Sequence, residues 1–283
     1  MLTNAMNNDA VKVREIAWRP EDPAVQEILL AYYRHRLFGT PEQAEAVVQR
    51  VLAVTGIRRP AAVLDVGCGL GYHAAAFARR GFRVTAIDPG EKYIALARGR
   101  AEDLNLHIDF RVGRIVDLPE LETYRLAWAG AFSPGRMSFA ELRGAFRKVH
   151  NALEPGGLFV GTVAGMRRRP VGWKSRTWGE LPDGYVMTEK RQDAERHYET
   201  CWFVRPGCEI VTKLVEVERL CGPGEVLRAL VEAGLTEVET YASMFATSLS
   251  QIGDRFAFVC RRPQPACCPR PLIGGPTGVA ESG

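Results

Sequence analysis

Between residues 61 and 165, short apolar runs alternate with segments of helical periodicity. The apolar runs AAVLDV, FRVTAID, LHIDFRV, YRLAWAG and GLFVGTVAG have the length of strands, and helix-like segments such as YHAAAFARRG separate most of them. Strands that alternate with helices favour a parallel sheet covered by helices on both faces. We therefore expect an α/β, doubly wound, Rossmann-like core.

The pattern changes after residue 165. The Arg- and Trp-rich segment RRRPVGWKSRTWGELPDG is predicted as a loop, and YVMTEKR, HYETCWFVR and EIVTKLVEVERL follow it as β-type runs without intervening helices. These runs predict an antiparallel β insert. A helix that ends at Gly234 and the strands LTEVETY and RFAFVCRR then return the chain to the core.

The chain divides into five predicted regions. Residues 1–43 are expected to form a leader, loose over its first 20 residues, followed by a lid helix, and residues 44–165 the α/β core. Residues 166–220 would form the insert that caps the substrate, and residues 221–262 complete the core. The Pro- and Gly-rich residues 263–283 are predicted to be disordered.

Composition limits the class of protein and its partners. The 283 residues can bury a core, and a content of 46% hydrophobic and 25% charged residues is ordinary for a soluble globular protein. No apolar run reaches the roughly 18 residues of a membrane span, and the N-terminus lacks the apolar segment of a secretory signal. The seven cysteines include no C-x-x-C, which argues against a disulfide framework or a metal site and favours reducing cytoplasm.

A glycine-rich turn follows the first predicted core strand. In D-V-G-C-G-L-G, Gly67, Gly69 and Gly71 have the spacing G-x-G-x-G, which is neither the G-x-G-x-x-G of dinucleotide sites nor a phosphate-binding P-loop. Asp65 precedes the glycines, and Asp88 ends the next strand, where a carboxylate can accept hydrogen bonds from both hydroxyls of a ribose. A turn that merely needs flexible backbone is the simpler alternative.

The same turn, together with RVTAIDP and LEPGGLFVGTV, resembles the class I S-adenosylmethionine-dependent methyltransferases. The resemblance extends from about residue 44 to residue 262. It implies a seven-stranded, mostly parallel sheet whose last strand runs antiparallel between two parallel ones. It also implies S-adenosyl-L-methionine as the methyl donor and S-adenosyl-L-homocysteine as the product.

The resemblance further implies a set of donor-binding residues. The three glycines would face the methionine half, Asp65 would lie under its amino group, Asp88 would bind the ribose and Phe132 would line the face of methyl transfer. His73, in the first helical turn after the glycines, is expected to order that turn or to contact the donor carboxylate. The predicted donor contacts are completed by Pro89, Arg114 and Ile115.

The chain departs from the family pattern at two places. Gly113-Arg114 stands where Gly-Asp is common, and Tyr124-Arg125 stands where an aromatic residue and Asp usually open the strand. Adenine recognition would then fall to Asp117 or to backbone groups. A member of the family that binds the donor without transferring methyl remains an alternative.

The acceptor is predicted to be a small molecule of secondary metabolism, methylated at N, O or C. The insert and the aromatic N-terminal helix resemble small-molecule members, including the N-methyltransferases of antibiotic amino-sugar pathways. The segment Phe132-Ser133-Pro134-Gly135-Arg136 lacks the [DNS]-P-P-[YF] typical of enzymes that methylate bases, and together with the modest net charge of +4 this argues against a nucleic-acid substrate. A nucleic-acid or protein methyltransferase is the alternative function, and a homodimer is left open.

Aromatic and histidine side chains are the candidates for the acceptor pocket. The predicted substrate contacts are Tyr32, Tyr33, Phe132, Trp173 and Trp178, and the candidates for a catalytic role are His35, His197 and Tyr33. An amine must be neutral to attack the methyl group, whereas a hydroxyl or carbon acid benefits from a base. For each of these residues a purely structural role is the competing interpretation.

Overall fold

The computed structural model describes residues 12–32, 38–118, 123–163, 169–170, 172–241 and 256–264. The strands are β1 (Lys12–Ala17), β2 (Ala62–Val66), β3 (Arg83–Asp88), β4 (Ile108–Val112), β5 (Tyr124–Phe132), β6 (Leu153–Val163), β7 (Lys174–Leu181), β8 (Gly184–Gln192), β9 (Arg196–Val204), β10 (Ile210–Arg219), β11 (Thr236–Tyr241) and β12 (Phe256–Arg261). The helices are α1 (Pro23–Tyr32), α2 (Pro41–Thr55), α3 (Tyr72–Arg79), α4 (Glu91–Asp103), α5 (Phe139–Ala152) and α6 (Pro223–Glu232).

Seven strands form the core sheet in the order β11-β12-β6-β5-β2-β3-β4. The strands from β6 to β4 pair in parallel, whereas β12 pairs antiparallel with both β6 and β11. The predicted doubly wound sheet, with its last strand antiparallel between two parallel ones, is therefore confirmed. The order reverses beside β2, so the carboxyl end of β2 lies at the crevice where such folds bind ligands.

Helices cover both faces of this sheet because its strands are apolar on both sides. Phe146 on α5 and Phe258 on β12 belong to the apolar cluster of one face, while Phe77 on α3 and Trp128 on β5 belong to the other, and all four are buried. Burial of each such side chain contributes roughly 1.5–3 kcal/mol. The two cores fix the positions of the loops at the carboxyl edge.

The helix over residues 41–55 begins and ends where local sequence dictates. Thr40 caps it and accepts a hydrogen bond from the Gln43 N–H, while the Gln43 side chain accepts one from the Thr40 N–H. Pro41 occupies the first turn, where no helical donor is lost. Gly56 ends the helix in the left-handed conformation, with φ of +65°.

The remaining strands form a second sheet, here named the cap sheet, in the order β1-β10-β9-β8-β7. Two predictions about it were wrong. Residues 12–17 are not a loose leader, because they pair in parallel with β10, and Lys174–Leu181 is a strand rather than part of a loop. Both are edge strands with mostly exposed side chains, so they lack the apolar alternation by which strands are recognised.

Helix α1 joins the cap sheet to the core. Val25 and Leu29 pack against Leu214 of the cap sheet, within an apolar cluster of their own. Gln26, 1% exposed, donates to the Pro20 carbonyl at 2.9 Å and accepts from the Lys92 N–H at 3.0 Å, at the start of α4. This helix therefore holds the cap sheet beside the carboxyl edge of the core.

Two expectations fall wholly or largely on residues that are not described. The first is the tail predicted to be disordered, residues 263–283, which lies outside the described part of the chain from residue 265 onwards. The second is the catalytic role predicted for Tyr33 or His35, since neither residue is described. Among the helices of the described residues, none is both long and apolar enough to cross a membrane.

Candidate active site

The glycine turn between β2 and α3 is held in a backbone conformation that side chains disfavour. Gly67, Gly69 and Gly71 have φ of +69°, +51° and +72°. A Cβ on Gly69 would lie 2.7 Å from the Phe38 ring, and one on Gly71 would lie 2.9 Å from the Ala97 methyl. Gly67 differs, because it is exposed and a Cβ there would meet no atom within 4 Å. The turn thus packs tightly on one side and opens at Gly67.

Asp88, at the carboxyl end of β3, holds this turn in place. Its two carboxylate oxygens accept hydrogen bonds from the Gly69 and Gly90 N–H groups, each at 2.8 Å. Burial raises the pKa of this carboxyl, and the two backbone donors counteract the rise. Because each carboxylate oxygen offers two lone pairs, Asp88 retains capacity for a hydroxyl donor.

Asp65 carries a buried oxygen without a partner. The residue is 1% exposed, and its Oδ2 has no hydrogen bond within the part of the chain that the structure describes. Burial raises the pKa of Asp65 to about 7, the charge of Asp88 adds to the rise, and the Ala74 N–H opposes it. An isolated buried carboxylate is costly, and an ammonium group would satisfy it.

Trp128 adds a second orphaned polar atom next to Asp65. The two residues are paired in register on β5 and β2, and Trp128, 1% exposed, has no partner for its Nε1–H among the described residues. The His73 ring lies 5.3 Å from that of Trp128. Burial lowers the pKa of His73 to about 4, so its imidazole is neutral at physiological pH. Sequence reasoning identified His73 but missed Trp128, whose place beside Asp65 depends on strand register.

The other predicted donor residues lie along the same edge. Pro89 is half-buried directly after Asp88, and Ile115 is buried in the core. Arg114 is exposed, with its Nε 3.6 Å from Asp117 Oδ2. Phe132, at the end of β5, is half-buried and its ring lies 5.6 Å from that of Phe146. The family position of Phe132 at the carboxyl edge is therefore retained.

The cap sheet contacts the core directly after Phe132. Ser133 Oγ donates to Glu218 at 2.7 Å, and the Arg136 guanidinium contacts Glu216 at 2.5 Å and Glu218 at 2.9 Å. The Trp18 ring stacks on Arg136, with the guanidinium carbon 3.6 Å from the ring centroid. Burial raises the pKa of Glu216; Arg136 counteracts this rise, and the Glu218 charge adds to it. Glu216 and Glu218 were not predicted as site residues. The sequence indicates the strand that carries them, but not the face of the cap sheet to which their side chains point.

His197 and Trp173, predicted as catalytic and substrate-binding candidates, lie together on this face. Their rings stack with centroids 6.5 Å apart and an angle of 24° between planes. His197 is half-buried, and burial lowers its pKa below the ordinary 6.5 despite the nearby charge of Glu199. In the cap sheet His197 is paired with Gln192 on one side and Glu218 on the other.

Two other predicted substrate contacts are placed elsewhere. Trp178 is 72% exposed and lies in line with Met187 on the outer face of the cap sheet, so its assignment to the pocket wall was wrong. A strand alternates its side chains between faces, and the prediction of a loop had concealed this. Tyr32 stacks on Phe203 at 5.1 Å and donates to Asp183 at 2.9 Å, which anchors α1 to the far end of the cap sheet.

Comparison with known proteins identifies the core. Residues 63–157 match the family described as "Methyltransferase domain". A protein of Geobacillus sp. (strain WCH70), named as a methyltransferase, is 24% identical over 241 residues, which are 82% of this chain and 98% of that protein.

Two solved structures share the fold. An S-adenosylmethionine-dependent methyltransferase from Clostridium acetobutylicum has a TM-score of 0.67 at 13% identity, covering 82% of this chain and 96% of its own. CalS10 of Micromonospora echinaspora, described as an amino pentose methyltransferase involved in calicheamicin biosynthesis, has a TM-score of 0.58 at 23% identity. The match covers 81% of this chain and 94% of CalS10.

Residues 63–157 are therefore a methyltransferase domain, and the chain has the fold of an S-adenosylmethionine-dependent methyltransferase structure, in agreement with the resemblance drawn from the glycine turn. The residues around the turn fit that donor. The orphaned Asp65 oxygen suits its ammonium group, the open side of Gly67 admits its methionine half, and Asp88 retains capacity for ribose hydroxyls.

Proposed function

We propose that this enzyme transfers the methyl group of S-adenosylmethionine to a small-molecule nucleophile held between the carboxyl edge of the core sheet and the cap sheet. The observation that carries the proposal is the buried, unpartnered oxygen of Asp65 beside the open Gly67. Functional sites are where a fold retains such a costly group, because the ligand supplies the missing partner.

The protein's part in this reaction is to hold and orient. When bound, the donor supplies a methyl group already activated by its sulfonium, so alignment of donor and nucleophile provides most of the rate gain. We assign Asp65 to the donor ammonium, Asp88 to the ribose and the Trp128 Nε1–H to the donor carboxylate. Phe132 lines the reacting face, and the cap sheet excludes water from it.

A small acceptor is favoured by the closeness of the cap sheet to this edge. The contacts of Ser133 and Arg136 with the cap sheet begin one residue after Phe132, so the cap sheet meets the core directly beside the proposed reacting face. The likeness to CalS10, an amino pentose methyltransferase involved in calicheamicin biosynthesis, supports a role in secondary metabolism. The free thiols of the described cysteines support a place in the reducing cytoplasm.

Donor binding is tested by isothermal titration with S-adenosylhomocysteine. We expect saturable binding, and we expect Asp88→Ala to weaken it by about 1.5–3 kcal/mol, the range of hydrogen bonds to charged groups. NADH serves as the control, because the turn lacks the dinucleotide spacing. Tight binding of NADH without any response to S-adenosylhomocysteine would contradict the proposal.

A nucleic-acid substrate is tested separately. The basic segment after residue 165 gives no continuous surface within its described part, because Arg169 and Trp173 pack on one another beside His197 while Trp178 faces outward. We expect any binding to DNA or RNA to weaken steeply as salt rises, as counterion release requires. A sequence-selective complex that survives physiological salt would transfer the function to nucleic acids.

A further inference from the structure

The inner face of the cap sheet carries a row of polar side chains that the donor site leaves unused. Gln192, His197 and Glu218 are paired neighbours on β8, β9 and β10, so their side chains project from the same face. With adjacent strands about 4.8 Å apart, the row is roughly 10 Å wide. Its Glu218 end accepts a hydrogen bond from Ser133, the residue that directly follows Phe132 at the end of β5.

Gln192 points to a ligand independently of the charges around it. The residue is 4% exposed, and its Nε2 donates to the Arg169 carbonyl at 2.7 Å, which fixes the orientation of the amide. Its Oε1 is then left as an acceptor, and it has no partner among the described residues. The missing partner must be a donor, an N–H or an O–H.

The carboxylates at the other end of the row favour a cationic ligand. Arg136 is a single guanidinium shared by Glu216 and Glu218, whose side chains are 21% and 13% exposed. The adjacent Glu199 is already paired with Lys190, at 2.6 Å. When both carboxylates are ionised, this largely buried pair carries one negative charge more than Arg136 neutralises, and an ammonium group would balance it with charge-assisted hydrogen bonds.

We propose that this row is the acceptor subsite and that the acceptor is a compact amine: its protonated nitrogen binds at Glu216 and Glu218, and a hydroxyl or second N–H group binds Gln192 Oε1. The proposal rests on the proposed function and names its substrate class. His197, stacked on Trp173, forms the floor between the two ends. The nitrogen is thereby held beside Phe132, and one of its protons passes to the Glu216 carboxylate before the reaction. The neutral amine then forms the new C–N bond to the methyl group while the bond from that carbon to the donor sulfur breaks, which leaves S-adenosylhomocysteine.

Matched ring compounds test the amine end of the subsite. The probes are trans-4-aminocyclohexanol and trans-cyclohexane-1,4-diol, titrated into the full chain saturated with S-adenosylhomocysteine. We expect the amine to bind at least about tenfold more tightly, since hydrogen bonds to charged groups are stronger than neutral ones. Glu218→Gln should reduce the preference to within about threefold, whereas Glu218→Asp, which keeps the charge, should retain most of it.

The control is Glu189→Gln, which removes a carboxylate paired with Arg176 on the outer face of the same sheet. This variant should keep the full amine preference. Equal binding of the two probes, or a preference that survives Glu218→Gln, would overturn the proposal. The melting temperature and the S-adenosylhomocysteine affinity of each variant are measured first, so failure of donor binding is distinguished from failure of the acceptor assignment.

The Gln192 end is tested with cyclohexylamine in place of the aminocyclohexanol. In the unmodified protein the added hydroxyl should improve binding by about threefold to tenfold, the range of one neutral hydrogen bond. Gln192→Leu should abolish that gain while it leaves the preference for amine over diol in place. A hydroxyl that gives no gain in the unmodified protein would exclude Gln192 from the subsite.

Discussion

Replacing Asp65 with Asn should make the ligand-free protein more stable and the donor complex weaker. The buried carboxyl has a pKa of about 7, against 3.8 for the ordinary group, because burial penalises its charge. Asn has nearly the same shape and carries no charge. It removes the cost of the charge in the free protein, and it also removes the partner of the donor ammonium.

The sign and size of the stability effect follow from proton linkage. Since the folded pKa is the higher one, the contribution of Asp65 to the free energy of unfolding is most favourable below about pH 3.8 and is lost as pH rises towards 7. A difference of about three pH units, at about 1.4 kcal/mol per unit, gives a loss of about 4 kcal/mol in the free protein. At pH 8, Asp65→Asn should therefore melt several degrees above the unmodified protein, and this gap should narrow towards pH 5.

Donor affinity should change in the opposite direction. Because an ionised Asp65 binds the ammonium, the affinity of the unmodified protein for S-adenosylhomocysteine should rise about tenfold between pH 6 and pH 8. Asp65→Asn should bind more weakly by about 1.5–3 kcal/mol at pH 8, with a flatter pH profile. Calorimetric titration and thermal melts over this pH range measure both effects.

The matched control is Asp109→Asn, an exposed carboxylate paired with Arg111 on β4. It should change neither the melting temperature at pH 8 nor the pH dependence of donor affinity. An Asp65→Asn protein that melts lower than the unmodified one at pH 8, or that binds S-adenosylhomocysteine equally well, would refute the assignment of Asp65.

Three further predictions concern single positions. Trp128→Phe keeps most of the buried ring but removes the Nε1–H, so S-adenosylhomocysteine affinity measured by titration should fall by about 0.5–1.5 kcal/mol, and an unchanged affinity would exclude this donor contact. Gly69→Ala should lower the free energy of unfolding, measured in urea, by about 1–3 kcal/mol, because residue 69 has a φ of +51° and the added Cβ would meet the Phe38 ring. The control Gly99→Ala lies in open space on α4 and should raise the free energy of unfolding by about 0.5–1 kcal/mol. Similar effects of the two substitutions would contradict the strain at Gly69. Tyr32→Phe loses hydrogen bonds to Asp183 and Arg205, so it should lower the melting temperature slightly and leave the single-turnover rate of methyl transfer unchanged, and a slowed transfer would return Tyr32 to the acceptor pocket.

The core could be predicted from sequence because its signals are local. Each strand from β2 to β6 lies in a short segment rich in apolar residues, and four consecutive residues, 40–43, specify the cap of α2. The two missed strands depend on distant partners instead: Lys12 pairs with Ile210, and only Ile16 of β1 is buried. A short, charged edge strand has no local pattern that separates it from a loop.

The same distinction explains which parts of the candidate site were found. The glycine turn, Asp65 and Asp88 lie in two short motifs whose spacing has a physical meaning by itself. Trp128 joins them only through the register of β5 on β2, and Gln192 meets His197 only through the register of β8 on β9. Register depends on the packing of the whole sheet, which no single stretch of sequence specifies.

The unpartnered polar atoms of the described residues are not scattered through the fold. They belong to Asp65 and Trp128 at the glycine turn, to Tyr93 in the first turn of α4, and to Gln192 and Arg219 on the cap sheet. Tyr93 links the glycine turn to the cap sheet electrostatically. Burial and the charge of Asp88 at the turn raise the pKa of Tyr93, and the charge of Arg136, which contacts the cap sheet, lowers it. Folded proteins pair nearly all their buried polar groups, so these exceptions support the proposal that ligands complete the glycine turn and the inner face of the cap sheet. A donor that satisfies only the glycine turn would leave Gln192 unpaired among the described residues, whereas the acceptor that we propose supplies the missing hydrogen bond.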